Sequence, residues 1–221
     1  MSDQARLRID VWSDYVCPFC YLELPPLQRL QQEMGAALEV VWRAFELRPE
    51  PQPTLEPNGE YLRSTWARSV YPMAAERGMQ LTLPPVQPRS RRAMEAAACA
   101  RAQGRFDAMH AALFQDFFEE GRDIGEIEVL IDIGARAGVD AAALRSALQD
   151  GQFLPQVLED QRLARDFGIS GVPIMLLRPA GAGWEQAAAL RGAVDFPRLR
   201  AAVDQFLRAA GSGTGANASR I

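Results

Sequence analysis

The chain has 221 residues, enough to bury a core of its own, and its 48% hydrophobic and 24% charged content is that of an ordinary globular protein. A formal net charge of −4 gives no general affinity for nucleic acid or for an anionic membrane surface. Every basic residue is Arg and none is Lys, which excludes a lysine nucleophile or Schiff base.

The opening Met-Ser-Asp-Gln-Ala-Arg-Leu-Arg lacks the basic and then apolar pattern of a secretory signal. An uncharged stretch such as Phe167 to Leu177 is too short to span a bilayer and contains Gly and Pro. A cytoplasmic protein is expected, and no membrane or nucleic-acid partner. In a reducing compartment a close pair of cysteines signals metal or redox chemistry before a structural disulfide.

Leu7 to Trp12 alternates apolar and polar residues and reads as a strand. From Pro18 the pattern turns helical, with proline in the first turn, where its missing N–H costs nothing. Cys17 is then the N-cap and Cys20 lies one turn in. Pro25-Pro26 is expected to kink this helix, which stops at Gly35. Leu38 to Phe45 is a second strand, so the first 45 residues form a β-α-β unit whose helix opens on the cysteine pair.

Pro49, Pro51, Pro53 and Pro57 mark a loop. A long helical block follows, beginning with the stripe Tyr61, Leu62, Trp66 and Val70, which Pro72 is expected to interrupt. Further helices read at about 89–103, 106–120, 126–138, 140–149 and 153–167, with Phe106, Met109, Leu113, Phe114 and Phe117 at helical spacing in the second of these. A turn at Gly168 to Gly171 leads into a strand at Val172-Pro173 to Leu177. A second strand is expected over 185–190, a last helix over about 195–209 and a disordered tail over 210–221.

The order β-α-β, helical block, β-β-α gives an α/β protein of thioredoxin-like plan, interrupted by an all-helical insertion. Residues 7–57 and 168–209 make the thioredoxin-like domain and 58–167 the insertion. Zinc needs about four ligands, and beyond Cys17 and Cys20 the chain offers Cys99 and one histidine, His110, in separate helices and out of register with each other. The redox reading gives each cysteine a role. Unpaired N–H groups at a helix N-terminus stabilise a thiolate at Cys17, the exposed attacker, and Cys20 can resolve the mixed disulfide. Asp14 and Glu23 could relay protons to Cys20; a plain loop acid is an equal reading of Asp14, and a helix-surface acid is the plainer reading of Glu23. Cys99 reads as a small packed residue and His110 as a surface residue of its helix.

Four ordered motifs resemble the DsbA family of thioredoxin-fold oxidoreductases, and within it the cytosolic FrnE-like branch. They are Ser13 to Tyr21, Trp42 to Pro49, Leu113 to Ile124 and Gly168 to Pro173. The resemblance implies thiol–disulfide exchange with protein or small-molecule thiols and disulfides. It makes Cys17 the nucleophile, Cys20 the resolving thiol and Pro173 a cis-proline facing them. It also puts Val172, Phe19 and Pro18 against substrate. No bound cofactor is implied, and glutathione would be an electron donor. Phe19 departs from DsbA, which has His there; without its hydrogen bond a less oxidising disulfide is expected. The glutathione-dependent 2-hydroxychromene-2-carboxylate isomerases and kappa glutathione transferases share this fold but carry Ser at the first cysteine. A chaperone-like binding module is the non-enzymatic alternative.

Overall fold

The structure, a computed structural model, describes residues 6–211, so the tail expected over 210–221 lies almost wholly outside the described residues. The first strand, β1 (Leu7–Ser13), runs parallel to β2 (Leu38–Ala44), and α1 (Pro18–Met34) crosses between them. After the helical block, β3 (Ile174–Pro179) pairs antiparallel with β1, and β4 (Ala188–Arg191) antiparallel with β3. The sheet order is β2-β1-β3-β4. The last helix, α9 (Phe196–Gly211), packs beside α1. This is the α/β, thioredoxin-like plan with a helical insertion.

The insertion holds α2 (Glu60–Thr65), a π turn (Trp66–Val70), α3 (Tyr71–Glu76), α4 (Arg91–Ala102), α5 (Phe106–Phe118), α6 (Ile127–Arg136), α7 (Ala141–Asp150) and α8 (Leu154–Asp166). Helix α1 runs through Pro25 and Pro26 to Met34, the expected end. The interruption expected at Pro72 does not occur: α2, the π turn and α3 follow without a gap across it. The π turn ends just before the proline, whose missing N–H leaves one carbonyl of the preceding turn to be absorbed by a locally wider helix. Tyr61 does not join the stripe; it is exposed, while Leu62, Trp66 and Val70 are buried. The expected strand over 185–190 begins later, after a 3-10 turn at Trp184–Gln186.

Both faces of the sheet are covered. Leu7, Ile9, Val11, Met175 and Leu177 pack with Leu27 and Leu30 of α1 and Leu199 and Val203 of α9. On the other face Trp12, Ile174 and Leu176 meet Ala164 of α8, Phe167 and Trp184. Helix α8 is tied to the sheet edge: Asp160 accepts from Arg43 Nη1 at 2.7 Å and from the Ala44 N–H at 3.1 Å, and its carbonyl accepts from Trp12 Nε1 at 3.0 Å. The sheet therefore holds the start of α1 from below while α8 and α4 close the β2 edge.

Candidate active site

Cys17 caps α1 in an extended conformation (φ −98°, ψ 112°), with Pro18 in the first turn. Its carbonyl accepts the first helical bonds, from the N–H groups of Cys20 (3.0 Å) and Tyr21 (3.4 Å). Its own N–H donates to the Asp14 carbonyl at 3.1 Å. The cap side chain is thus a sulfur at the positive end of a helix of 17 residues. The peptide bond Val172–Pro173 is cis, and the Val172 carbonyl lies 3.5 Å from Cys17 Sγ. Pro18, Phe19 and Val172 are half-buried and Pro173 is buried.

Two expectations need correction. Cys17, read as the exposed attacker, is only 4% exposed, because the Val172 loop and the insertion cover it. Glu23, read as a helix-surface acid, is fully buried. Its position on α1 faces the start of α9, and its carboxylate accepts from the Val194 N–H at 2.7 Å. Burial pushes this carboxyl up to about 8, against the opposing pull of the Val194 N–H and the Arg77 guanidinium. Asp14, read with equal weight as a plain loop acid, is fully buried as well. It accepts from Leu47 N–H at 2.7 Å and Val16 N–H at 3.2 Å, and burial outweighs these bonds and holds it at about 6.

Cys20 has no exposed surface. Burial pushes its thiol up, and the neighbouring Cys17 adds to this through a hydrogen bond and through charge repulsion. Burial and the neighbouring sulfur thus favour the protonated form of Cys20. Two groups pull the other way: the Asp14 N–H, 3.5 Å from Cys20 Sγ, and the Ser13 hydroxyl. Ser13 Oγ faces this sulfur yet forms no hydrogen bond close enough to satisfy it. All three cysteines are unbridged thiols. Cys99 is buried on α4 and accepts from Gln103 Nε2 at 3.5 Å.

Residue reasoning missed three contributors. Ser13, the last residue of β1 and the first of the motif, reaches Cys20. Glu46, fully buried but for a trace, adds its charge to the carboxyl environment of Asp14. His110, expected on a surface, is 3% exposed; its Nδ1 lies 2.7 Å from the Tyr15 hydroxyl and its ring packs on Phe106, Trp42 and Phe114. Burial, together with nearby Arg101, lowers its pKa to about 3, so the ring is neutral. Among the described residues no group of three or more His, Cys, Asp or Glu side chains could hold a metal ion. Among the described residues, too, no helix is long and apolar enough to cross a membrane.

The family model for DSBA-like thioredoxin domains matches residues 8–204. The protein YwbO of Bacillus subtilis is 32% identical over 177 residues, covering 77% of this chain and 86% of YwbO. The probable DsbA oxidoreductase SCO1869 from Streptomyces coelicolor has a TM-score of 0.74 at 23% identity, over 91% of this chain and 90% of that one. The cytosolic disulfide reductase DsbM from Pseudomonas aeruginosa, solved with GSH, gives 0.65 at 22%, over 91% and 99%. A 2-hydroxychromene-2-carboxylate isomerase gives 0.72 at 20%, over 93% and 98%. Likeness to these three structures is one of fold, and that fold hosts more than one chemistry. The residues at the start of α1 have to tell them apart.

Proposed function

The chain belongs to the family of DSBA-like thioredoxin domains, and from that premise we propose that it is a thiol–disulfide oxidoreductase working through Cys17 and Cys20. The observation that carries this reading is the unequal setting of the two sulfurs: Cys17 caps a helix N-terminus, and Cys20 is buried behind it with a raised thiol pKa. In the forward step the Cys17 thiolate attacks a substrate disulfide, and one substrate thiolate leaves. Cys20 then attacks the Cys17 sulfur, the Cys17–Cys20 bond forms, and the second substrate thiolate is released. The substrate gains two electrons and the protein pair loses them. Val172 offers its carbonyl beside Cys17, and half-buried Pro18 and Phe19 offer apolar contact to whatever carries the attacked sulfur.

The direction we propose is reduction or isomerisation in the cytoplasm, with glutathione returning the pair to the dithiol state. The cytosolic reductase DsbM with its GSH supports this by analogy of fold. Phe19, which has no hydrogen-bonding group, supports it from this chain's own motif. A FrnE-like placement within the family belongs to the same reading. The isomerase alternative is disfavoured by the second sulfur, since Cys20 can finish an exchange that a single nucleophile could not.

The test is a pair of single mutants treated with oxidised glutathione and read by intact-mass spectrometry. Cys17→Ser should form no glutathione adduct. Cys20→Ser should accumulate one, because the attacker is intact and the escape route is gone. Wild type should pass to a Cys17–Cys20 disulfide that leaves Cys99 alkylatable. Full exchange activity in both mutants would sink the reading.

A further inference from the structure

Beside the dithiol, on the β2 edge, lies a cavity of about 40 Å³ lined by Ser13, Tyr15, Trp42, Ala98 and His110, with Gln156 and Asp160 of α8 among its outer walls. Among the described residues, two buried polar atoms of its lining, Ser13 Oγ and His110 Nε2, have no partner at full hydrogen-bonding geometry. Their residues are 7% and 3% exposed, so bulk solvent does not satisfy them directly. A buried donor or acceptor left unpaired is costly, and the cavity, of mixed apolar and polar lining with Arg43 and Arg101 among its walls, has room for a few waters.

The chemistry at His110 sets what it asks of a ligand. Among the described residues the Tyr15 hydroxyl finds its hydrogen-bond partner in His110 Nδ1, at 2.7 Å. A buried phenol whose sole partner is an imidazole nitrogen satisfies its proton by donating it there. That assigns the ring proton to Nε2, the unpaired atom, so His110 presents a donor to the cavity. A water oxygen is the acceptor that fits. Ser13, at the other side, has a hydroxyl that can donate to such a water while its oxygen faces Cys20.

We propose that this cavity holds an internal water cluster, anchored by His110 and joined to Ser13, which carries the proton of Cys20 to solvent during the resolving step. The proposal rests on the oxidoreductase reading and assigns it a proton path. As Cys20 Sγ attacks the Cys17 sulfur, its proton passes to Ser13 Oγ while Ser13 gives its own proton to the adjacent water. The water passes a proton outward past Gln156 and Asp160. The substrate sulfur departs with the electron pair of the broken bond and takes its proton from solvent. Ser13 is the relay; His110 is a positioning residue, neutral throughout and fixed by Tyr15.

The experiment mixes reduced protein with oxidised glutathione, quenches with acid at successive times, and counts adduct and internal disulfide by mass. This separates formation of the Cys17 adduct from its resolution by Cys20. Ser13→Ala should leave adduct formation at the wild-type rate and slow resolution by about tenfold or more, within the range of a lost proton relay. Ser13→Thr keeps the hydroxyl and should restore the rate. Ala98→Leu, which fills the cavity and leaves Ser13 and His110 in place, should also slow resolution and enlarge its solvent isotope effect. Wild-type resolution rates in both Ser13→Ala and Ala98→Leu would overturn the water path and leave the oxidoreductase reading standing; if Ala98→Leu does not fold, the Ser13→Ala and Ser13→Thr pair decides alone. A wild type that forms neither adduct nor disulfide would overturn that reading and the path with it.

Discussion

Two regions of the molecule bury acids in opposite ways. On the face covered by α8, Asp10 is fully buried yet ringed by cations: Arg43 Nε at 2.8 Å, Arg178 Nε at 3.1 Å and Arg8 Nη2 at 3.1 Å. Around the start of α1, Asp14 and Glu23 are equally buried and are met by backbone N–H groups and, for Asp14, by the Ser90 hydroxyl, with no hydrogen-bonded cation among the described residues. Arg77 acts on Glu23 through its charge, at longer range. The difference teaches where this protein stores protons. An acid ringed by guanidinium groups glues elements together through ion pairs, while one held by N–H groups in a low-dielectric site has its pKa pushed toward neutral pH, where a proton can come and go. The redox sulfurs lie in the second kind of region.

The largest effect is expected from breaking the paired face. Asp10→Ala removes one carboxylate and leaves the Arg43 and Arg178 side chains, both mostly buried, without their shared partner. A loss of about 3–5 kcal/mol is expected on the precedent of broken buried ion pairs, read as a lower urea midpoint. The rate at which Cys17 forms its glutathione adduct should not change in the protein that remains folded, since Asp10 points away from α1. If stability fell by less than a kcal/mol, Asp10 would not be the centre of that face.

The unpaired region should instead reveal itself through pH. Glu23 is raised in the folded state from 4.5 to about 8, so its contribution to stability is fully present below about 4.5 and is lost as pH rises through 8. Glu23→Gln keeps an acceptor for the Val194 N–H and cannot ionise. Melting temperature of the mutant should be flatter than wild type between pH 5 and 8, and the mutant should be the more stable at pH 8, by a few kcal/mol at most. Parallel profiles for the two proteins would mean that Glu23 ionises at its ordinary pH and that the Arg77 charge compensates it.

How far the sequence shows this follows from the range of the interactions. The cysteine pair, the N-terminal proline of α1 and the strand and helix periods are local, and they suffice for the thioredoxin-like order of elements. Glu23 and Arg77 meet Val194 from three distant parts of the chain, so no local pattern could say that the acid faces inward. His110 was within reach: Phe106, His110, Phe114 and Phe118 form an unbroken i, i+4 series along α5, and a lone histidine inside an aromatic row is buried with that row. Ser13 is harder, since a serine ending a strand is unremarkable until the strand is seen to run under the second cysteine.

Asp14 should give the smallest stability effect and the finest discrimination. Burial raises it from 3.8 to about 6 in the folded protein, so its contribution is present below about 3.8 and fades as pH rises to 6. Asp14→Asn should erase that slope. It also trades one acceptor oxygen for an amide that cannot accept, leaving either the Leu47 or the Val16 N–H unpaired at about 1–3 kcal/mol. Gain and loss nearly cancel at pH 7, so the net change in unfolding free energy there should be within about 1 kcal/mol, while the mutant is clearly the less stable at pH 4. The same mutant interrogates the sulfurs. The carboxylate is bonded to Leu47, Val16 and Ser90, and Asp14 meets Cys20 through its backbone N–H. Resolution of the glutathione adduct should therefore keep its wild-type dependence on pH in Asp14→Asn. If resolution instead lost an inflection near pH 6, the Asp14 carboxyl would be the group that takes the proton from Cys20, and the path through Ser13 would yield to it.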